Sequence, residues 1–407
     1  MSADFPSDFM WGASTSPHQV EGNNVASDWW AREGAVPGMQ LSGDANDSYH
    51  RYREDMTLLA DAGLKAYRFG IEWARIEPKQ GAFSHAELAH YRRMIDTAID
   101  LGIEPVITLH HFSSPLWLSE QGGWATSEVA EHFGRYVEKA ASILDGVRHV
   151  ITVNEPNMLA MMVSLETAAR NGELGDWQSP TVESSGDEEW TQPPLPVPTP
   201  ADAQPMIDAH HAARAILRDR TDAAIGWSIA NQAFTAAPGG EEKLREVRWN
   251  FEDLYLEETK DDDFVGVQSY TSQQVDADGL VPHPDLPDNT MIGTAYRPDA
   301  LSLAVRHVAE VTGKPILVTE NGIATADDEQ RIGYTREALL GLAATIEDGV
   351  DVRGYLHWSL LDNYEWGHWE PTFGLVAVDR VTFERRPKPS LAWLGEVARS
   401  NGASLTE

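Results

Sequence analysis

The run Ile316-Leu317-Val318-Thr319-Glu320-Asn321-Gly322 is short, apolar and largely β-branched, and it ends in a carboxylate followed by an amide and a glycine. Such a run reads as a buried strand that delivers Glu320 to its tip. Val150-Ile151-Thr152-Val153-Asn154-Glu155-Pro156 has the same form. Two strand-end glutamates, distant in sequence and similarly presented, point to paired carboxylate chemistry.

Outward from these runs the chain alternates. Strands are expected at Phe9–Ser14, Leu64–Trp73, Glu104–His111, His149–Glu155, Ala224–Asn231, Asp263–Tyr270, Pro315–Glu320 and Val352–Leu361. Helical spacing is expected over Ser48–Ala62, His85–Leu101, Ser127–Leu144, Gln204–Arg218, Glu241–Glu258, Asp299–Thr312, Thr335–Asp348 and Ser390–Arg399, with Gly63 and Gly102 as stops. Alternation implies parallel strands joined by crossover helices. Over 407 residues it fits a single closed (β/α)8 barrel domain, residues 1–407, better than an open sheet. No Gly-x-Gly-x-x-Gly turn follows the first strand, which disfavours a dinucleotide-binding sheet. Functional side chains of such barrels stand at the C-terminal strand ends. This reading collects Gln19, Arg68, His111, Asn154, Glu155, Tyr270, Glu320, Glu365 and Trp366 there. From Asn171 to Ala201 the rhythm gives way to a segment rich in Pro, Gly, Ser and acids, expected to be a mobile loop over the pocket.

Charge and composition narrow the partners. A formal net charge of −33 argues against nucleic acid, whose phosphates require clustered Lys and Arg. With no Cys, disulfides and thiolate ligands are excluded. His110 and His111, adjacent on an expected strand, would face opposite ways, so no metal is expected. No apolar run approaches the ~20 residues of a membrane span. The start Met1-Ser2-Ala3-Asp4-Phe5-Pro6 lacks a basic region followed by an apolar one. A soluble, unexported, cytoplasmic protein without a membrane partner is the expectation.

Two carboxyls on opposite walls of a pocket can cleave an acetal: one protonates the leaving oxygen while the other attacks the anomeric carbon or activates a water. Their pKa values must then differ. Arg68 and Tyr270 around Glu320 would keep it ionised and aimed, as a nucleophile requires. Glu155, buried beside that charge, would hold its proton as the acid/base. Asn154 is placed to orient a sugar hydroxyl.

Thr152-Val153-Asn154-Glu155-Pro156 and Val318-Thr319-Glu320-Asn321-Gly322 resemble the acid/base and nucleophile signatures of glycoside hydrolase family 1, the β-glucosidase and β-galactosidase family. Phe9-Met10-Trp11-Gly12-Ala13-Ser14-Thr15 through Gln19-Val20-Glu21-Gly22 resembles its opening motif, and Tyr67-Arg68-Phe69 with Trp73-Ala74-Arg75-Ile76 its second-strand motif. Trp358 to Trp366 and Phe373-Gly374-Leu375 resemble its closing sugar-binding segment. The resemblance implies a TIM barrel with catalytic carboxylates at the ends of strands 4 and 7. It implies hydrolysis of terminal β-glycosides with retention, through a glycosyl-enzyme on Glu320, the carboxyls lying roughly 5 Å apart and no cofactor taking part. Gln19, His111, Asn154, Trp358, Glu365 and Trp366 are implied to hold the terminal sugar. Members acting on 6-phosphorylated sugars replace the acid at Glu365, so an unphosphorylated glucoside, galactoside or fucoside is implied.

The sequence also departs from that pattern. Phe112 stands where many members have Trp, Gln268-Ser269 where Asn-Tyr is usual, and residues 367–372 lack the arginine often found before Phe-Gly-Leu. These changes bear on sugar and acceptor preference and leave the carboxylates in place. Trp124, Trp177, Trp190 and Trp369 are each suited equally to an aglycone wall and to core or loop packing. Two alternatives remain at this stage: a member that passes the sugar to an acceptor other than water, and a carbohydrate-binding barrel without turnover.

Lysines are confined to Lys65, Lys79, Lys139, Lys243, Lys260, Lys314 and Lys388. An acidic, Lys-poor surface stays hydrated at high salt, which also screens its self-repulsion, although an ordinary acidic protein can share the composition. Salt adaptation predicts that activity and thermal midpoint hold or climb as KCl rises from dilute buffer to about molar levels. A fall in both identifies an ordinary acidic protein.

Overall fold

The structure, a computed structural model, describes residues 5–171 and 197–406. At its centre is a closed barrel of parallel strands. These are β1 (Met10–Ser14), β2 (Ala66–Gly70), β3 (Glu104–Thr108), β4 (His149–Asn154), β5 (Ala224–Ala230), β6 (Val265–Gln268), β7 (Ile316–Glu320) and β8 (Val352–Trp358). Each strand pairs with the next, and β8 closes on β1 through Met10 to Ser14 against Gly354 to Trp358. Around it lie α1 (Ser48–Ala62), α2 (His85–Asp100), α3 (Val129–Ala141), α4 (Pro200–Arg220), α5 (Glu241–Arg248), α6 (Ala300–Thr312), α7 (Asp328–Glu347) and α8 (Pro389–Arg399). The expected (β/α)8 barrel is therefore the fold. Among the described residues no helix is long and apolar enough to cross a membrane.

Local chemistry sets many of the boundaries. Gly63, at φ 99°, closes α1 by returning its N–H to the carbonyls of Ala60 and Leu59. Thr199 and Asp202 form a reciprocal capping box that starts α4 ahead of the expected Gln204. β2 stops at Gly70 rather than Trp73, because the Glu72 carboxylate accepts from the Ala74 N–H and caps a short helix, Trp73–Ile76. α7 begins at Asp328, ahead of the expected Thr335, with Asp327 capping it. The expected helix over Glu241–Glu258 is interrupted by a π-turn at Trp249–Asp253. Several helices were not foreseen, among them short ones at Asp28–Glu33 and Leu116–Glu120; the longest of those described, Pro156–Asn171, follows Glu155 at the end of β4 with proline at its first position, where the missing N–H costs nothing. Most of the expected loop from Asn171 to Ala201, with Trp177 and Trp190, lies outside the described residues.

Strand ends require another correction. β3 ends at Thr108, so His110 and His111 lie beyond the strand and alternation does not govern them. His110 hydrogen-bonds the Ser114 hydroxyl at 3.0 Å and packs on Trp124, whereas His111 stacks against Trp358 and Trp366.

The barrel interior is layered. Ala66, Val106, Ile151, Phe264, Leu317 and Leu356 form an apolar plug near the strand beginnings. Above it the contacts turn polar: Thr319 Oγ1 donates to Ser228 Oγ at 3.0 Å, and Arg68 Nε to Thr108 Oγ1 at 2.9 Å. Strict alternation from Ile151 and Leu317 would point Asn154 and Glu320 away from the interior. Register shifts intervene, between Ile151 and Asn154 in the β4/β5 pairing and between Val267 and Gln268 in the β6/β7 pairing. Irregularities of this kind re-aim side chains. Both Asn154 and Glu320 reach Arg68.

Gly322 fixes the far side of this strand end, since a Cβ there would stand 2.0 Å from the Trp358 carbonyl oxygen. Gly322→Ala is expected to lower stability by about 1–3 kcal/mol through overpacking and to reduce turnover by displacing Glu320. Thermal unfolding and kcat check this, and no change in either would mean that the strand end has slack.

Candidate active site

A cavity of about 430 Å³ opens at the C-terminal mouth of the barrel. Of the residues singled out from sequence, His111, Glu155, Tyr270, Glu320, Trp358, Glu365 and Trp366 line it. Gln19, Arg68 and Asn154 are fully buried and bonded to residues of the wall.

Glu320 is held from two sides. Arg68 Nη1 donates to its Oε1 and Tyr270 Oη to its Oε2, the latter at 2.5 Å. Tyr270 is itself pinned through its carbonyl, which accepts from Tyr334 Oη at 2.6 Å. Neighbouring Asn321 anchors the strand end by donating to the Ser269 carbonyl at 2.7 Å. Arg68 Nη2 also reaches Asn154 Oδ1. Glu155, at φ 44°, sits in the left-handed region between β4 and the Pro156 helix, a conformation that a non-glycine residue adopts at some cost. Among the described residues no donor is bonded to its carboxyl.

These surroundings separate the two acids. Burial pushes Glu155 well above the usual carboxylate range, the charge of Glu320 pushes it further, and Arg68 opposes. Burial also raises Glu320, but Arg68 and the Tyr270 hydroxyl pull it back. Glu155 therefore keeps its proton to higher pH. Such a pair can donate a proton from one wall while presenting a carboxylate from the other.

A third acid, Glu365, adds a polar edge to the cavity. Gln19 Nε2 donates to its Oε2 at 3.1 Å and Trp358 Nε1 to its Oε1 at 3.3 Å. Gln19 is aligned by Ser16 and Asn363 at 2.6 and 2.9 Å. Burial raises the Glu365 pKa to about 8. His111 is driven well below the usual histidine range by burial, by Arg68 and by His110, so its imidazole is neutral. It can therefore both give and take a hydrogen bond.

Apolar side chains make up much of the remaining lining. Trp29, Phe112, Met158, Met161 and Met162 are among the lining residues, and of these the sequence pointed only to Phe112. The three methionines follow helical i, i+3, i+4 spacing after Pro156, a signal that was present in the sequence. Of the two roles open to Trp124 and Trp369, aglycone wall or packing, the structure favours packing, since neither lines this cavity. Trp124 is buried, with its indole N–H on Ser114 Oγ at 3.0 Å, and Trp369 donates to the Leu41 carbonyl at 3.0 Å. Trp124 instead borders a second cavity of about 400 Å³, which shares Trp29, Phe112 and Met162 with the first. Among the described residues no group of three or more His, Asp or Glu is arranged to hold a metal ion.

Comparison with known proteins agrees with this geometry. The family described as Glycosyl hydrolase family 1 matches residues 1–172 and 250–403. The chain is 31% identical to beta-glucosidase A of Thermotoga maritima, over 98% of each chain. It superposes on the crystal structure of a beta-glycosidase with a TM-score of 0.85 at 41% identity, covering 98% of this chain and 97% of that one. A beta-glucosidase from Thermotoga maritima in complex with glucoimidazole gives a TM-score of 0.84 at 29% identity, covering 98% of this chain and 100% of that one. With the barrel, the strand-end glutamates and matches that span nearly the whole chain, the protein belongs to glycosyl hydrolase family 1 and is a glycoside hydrolase of the β-glycosidase type.

Proposed function

We propose that this protein hydrolyses terminal, non-reducing β-D-glucosyl residues, with galactosyl and fucosyl residues as further candidates, retaining the anomeric configuration. Glu320 is the nucleophile that forms the glycosyl-enzyme, and Glu155 first protonates the leaving oxygen and then activates the incoming water. The observation that carries this reading is the unequal support of the two acids: Arg68 and Tyr270 both donate to Glu320, and among the described residues no donor is bonded to Glu155. His111, Asn154, Glu365, Trp358 and Trp366 hold the sugar, and Gln19 holds Glu365. The Trp29, Phe112 and methionine wall favours an apolar aglycone. One catalytic domain acting in the cytoplasm accounts for the chain.

Glu320→Gln is expected to lower aryl β-glucoside turnover by at least about 10³-fold, and azide is expected to restore turnover to Glu320→Gly by replacing the missing nucleophile. NMR of the first-formed sugar should show the β-anomer; the α-anomer would overturn the double-displacement reading. With an added alcohol acceptor, hydrolysis should still dominate at low acceptor concentration, whereas dominant transfer would make the protein a transglycosidase.

The acid must be protonated to act, so the rate falls as pH rises through the elevated pKa of Glu155. Glu155→Gln should lose that alkaline limb while retaining activity on substrates whose leaving group needs no proton. Glu365 adds an effect on stability. The unfolded chain releases this proton near 4.5, the folded chain near 8. The folded state therefore binds more protons between those values, and the group works against folding increasingly as pH climbs through the window. Glu365→Gln is expected to raise stability by about 1–3 kcal/mol at alkaline pH and by less near pH 5. Thermal melts at the two pH values check this.

A further inference from the structure

The hydrogen bonds around Arg68 fix which way two amides face. A guanidinium only donates, so the atom of Asn154 that meets Arg68 Nη2 is its oxygen. The same oxygen receives a second bond, at 2.8 Å, from Gln268, which must present its NH2 group there. Gln268 Oε1 is thereby turned away from Asn154. It is buried and, among the described residues, has no partner, and neither does Asn154 Nδ2. Gln268 lines the cavity, and its Cα pairs with that of Glu320 across β6 and β7. A bare acceptor at the wall of a sugar cavity is costly unless a ligand supplies the donor.

We propose that Gln268 determines specificity at the sugar, its Oε1 accepting the proton of the hydroxyl on the carbon next to the anomeric centre. Arg68 and Asn154 set the amide's orientation. The choice of hydroxyl follows from placement, because Gln268 neighbours the carboxylate that attacks the anomeric carbon, and this rests on the glycosidase reading above. A hydroxyl can donate to one group and accept from another, so Asn154 Nδ2 complements Gln268 Oε1 as the donor of the pair.

The test compares kcat/KM for 4-nitrophenyl β-D-glucoside with that for its 2-, 3-, 4- and 6-deoxy analogues, in the wild type, Gln268→Met and Gln268→Glu. Each ratio is taken on a single preparation, so any loss of folded enzyme cancels. In Gln268→Met, discrimination against the 2-deoxy substrate should fall on the order of tenfold, with the other ratios unchanged. Gln268→Glu should keep that discrimination at acidic pH, where the introduced carboxyl offers one donor and one acceptor as the amide does. An equal loss at every position, or no change for the 2-deoxy substrate, overturns the proposal. So does a shifted alkaline limb with unchanged ratios, which would assign Gln268 to the proton of Glu155. A wild type that turns over no aryl glycoside removes the glycosidase reading and this inference with it.

Discussion

A single guanidinium, wholly buried at the mouth of the barrel, sets the electrostatics of the cavity. Arg68 donates to Glu320, Asn154 and Thr108, and three carboxyls, those of Glu155, Glu320 and Glu365, stand around the same space. Burial opposes ionisation of all three, and Glu320 repels the charge of the other two. Donors then decide which acid keeps its charge. Glu320 has Arg68 and Tyr270, Glu365 has Gln19 and Trp358, and Glu155 has no bonded donor among the described residues. The acids are thereby ranked by their surroundings although all three are glutamates.

The barrel makes that arrangement affordable. An apolar plug and the helices packed around the barrel provide the burial that an Arg-centred polar cluster does not. The cluster can then sit where strands end and alternation relaxes. Strain collects at the same rim: Phe112, Glu155 and Trp366, all lining the cavity, have φ of 65°, 44° and 45°. Non-glycine residues persist in that region only where the surrounding packing over-determines them. Phe112 and Trp366 meet edge to face at 5.1 Å, and Trp366 is stacked on His18 and His111.

Much of this was legible in the residues. Apolar runs between glycines and turn residues marked every barrel strand, and the carboxylates at two of their tips marked the site, because strand periodicity and capping are local properties. Boundaries were less legible. The Glu72 cap, the Asp327 cap and the π-turn at Trp249–Asp253 each depend on which competing backbone partner wins in three dimensions. Pro156 and the Met158, Met161 and Met162 spacing announce the Pro156 helix, but the same proline also reads as the stop of the strand that ends at Glu155. The place of Trp124 was open in the sequence because an indole is equally suited to a wall or a core, and packing buries it.

By itself the sequence determined the architecture and the chemical inventory: alternating strands and helices, glutamates at the tips of the fourth and seventh strands, an arginine on the second, and an acidic surface without cysteine. Only the tertiary structure decided how these residues meet. Alternation alone would have turned Asn154 and Glu320 away from the barrel interior, and the register shifts in β4/β5 and β6/β7 brought them to Arg68. The orientation of Gln268 and Asn154 was likewise invisible in the chain, because an amide's donor and acceptor ends are assigned by partners that are remote in sequence and adjacent only after the barrel closes.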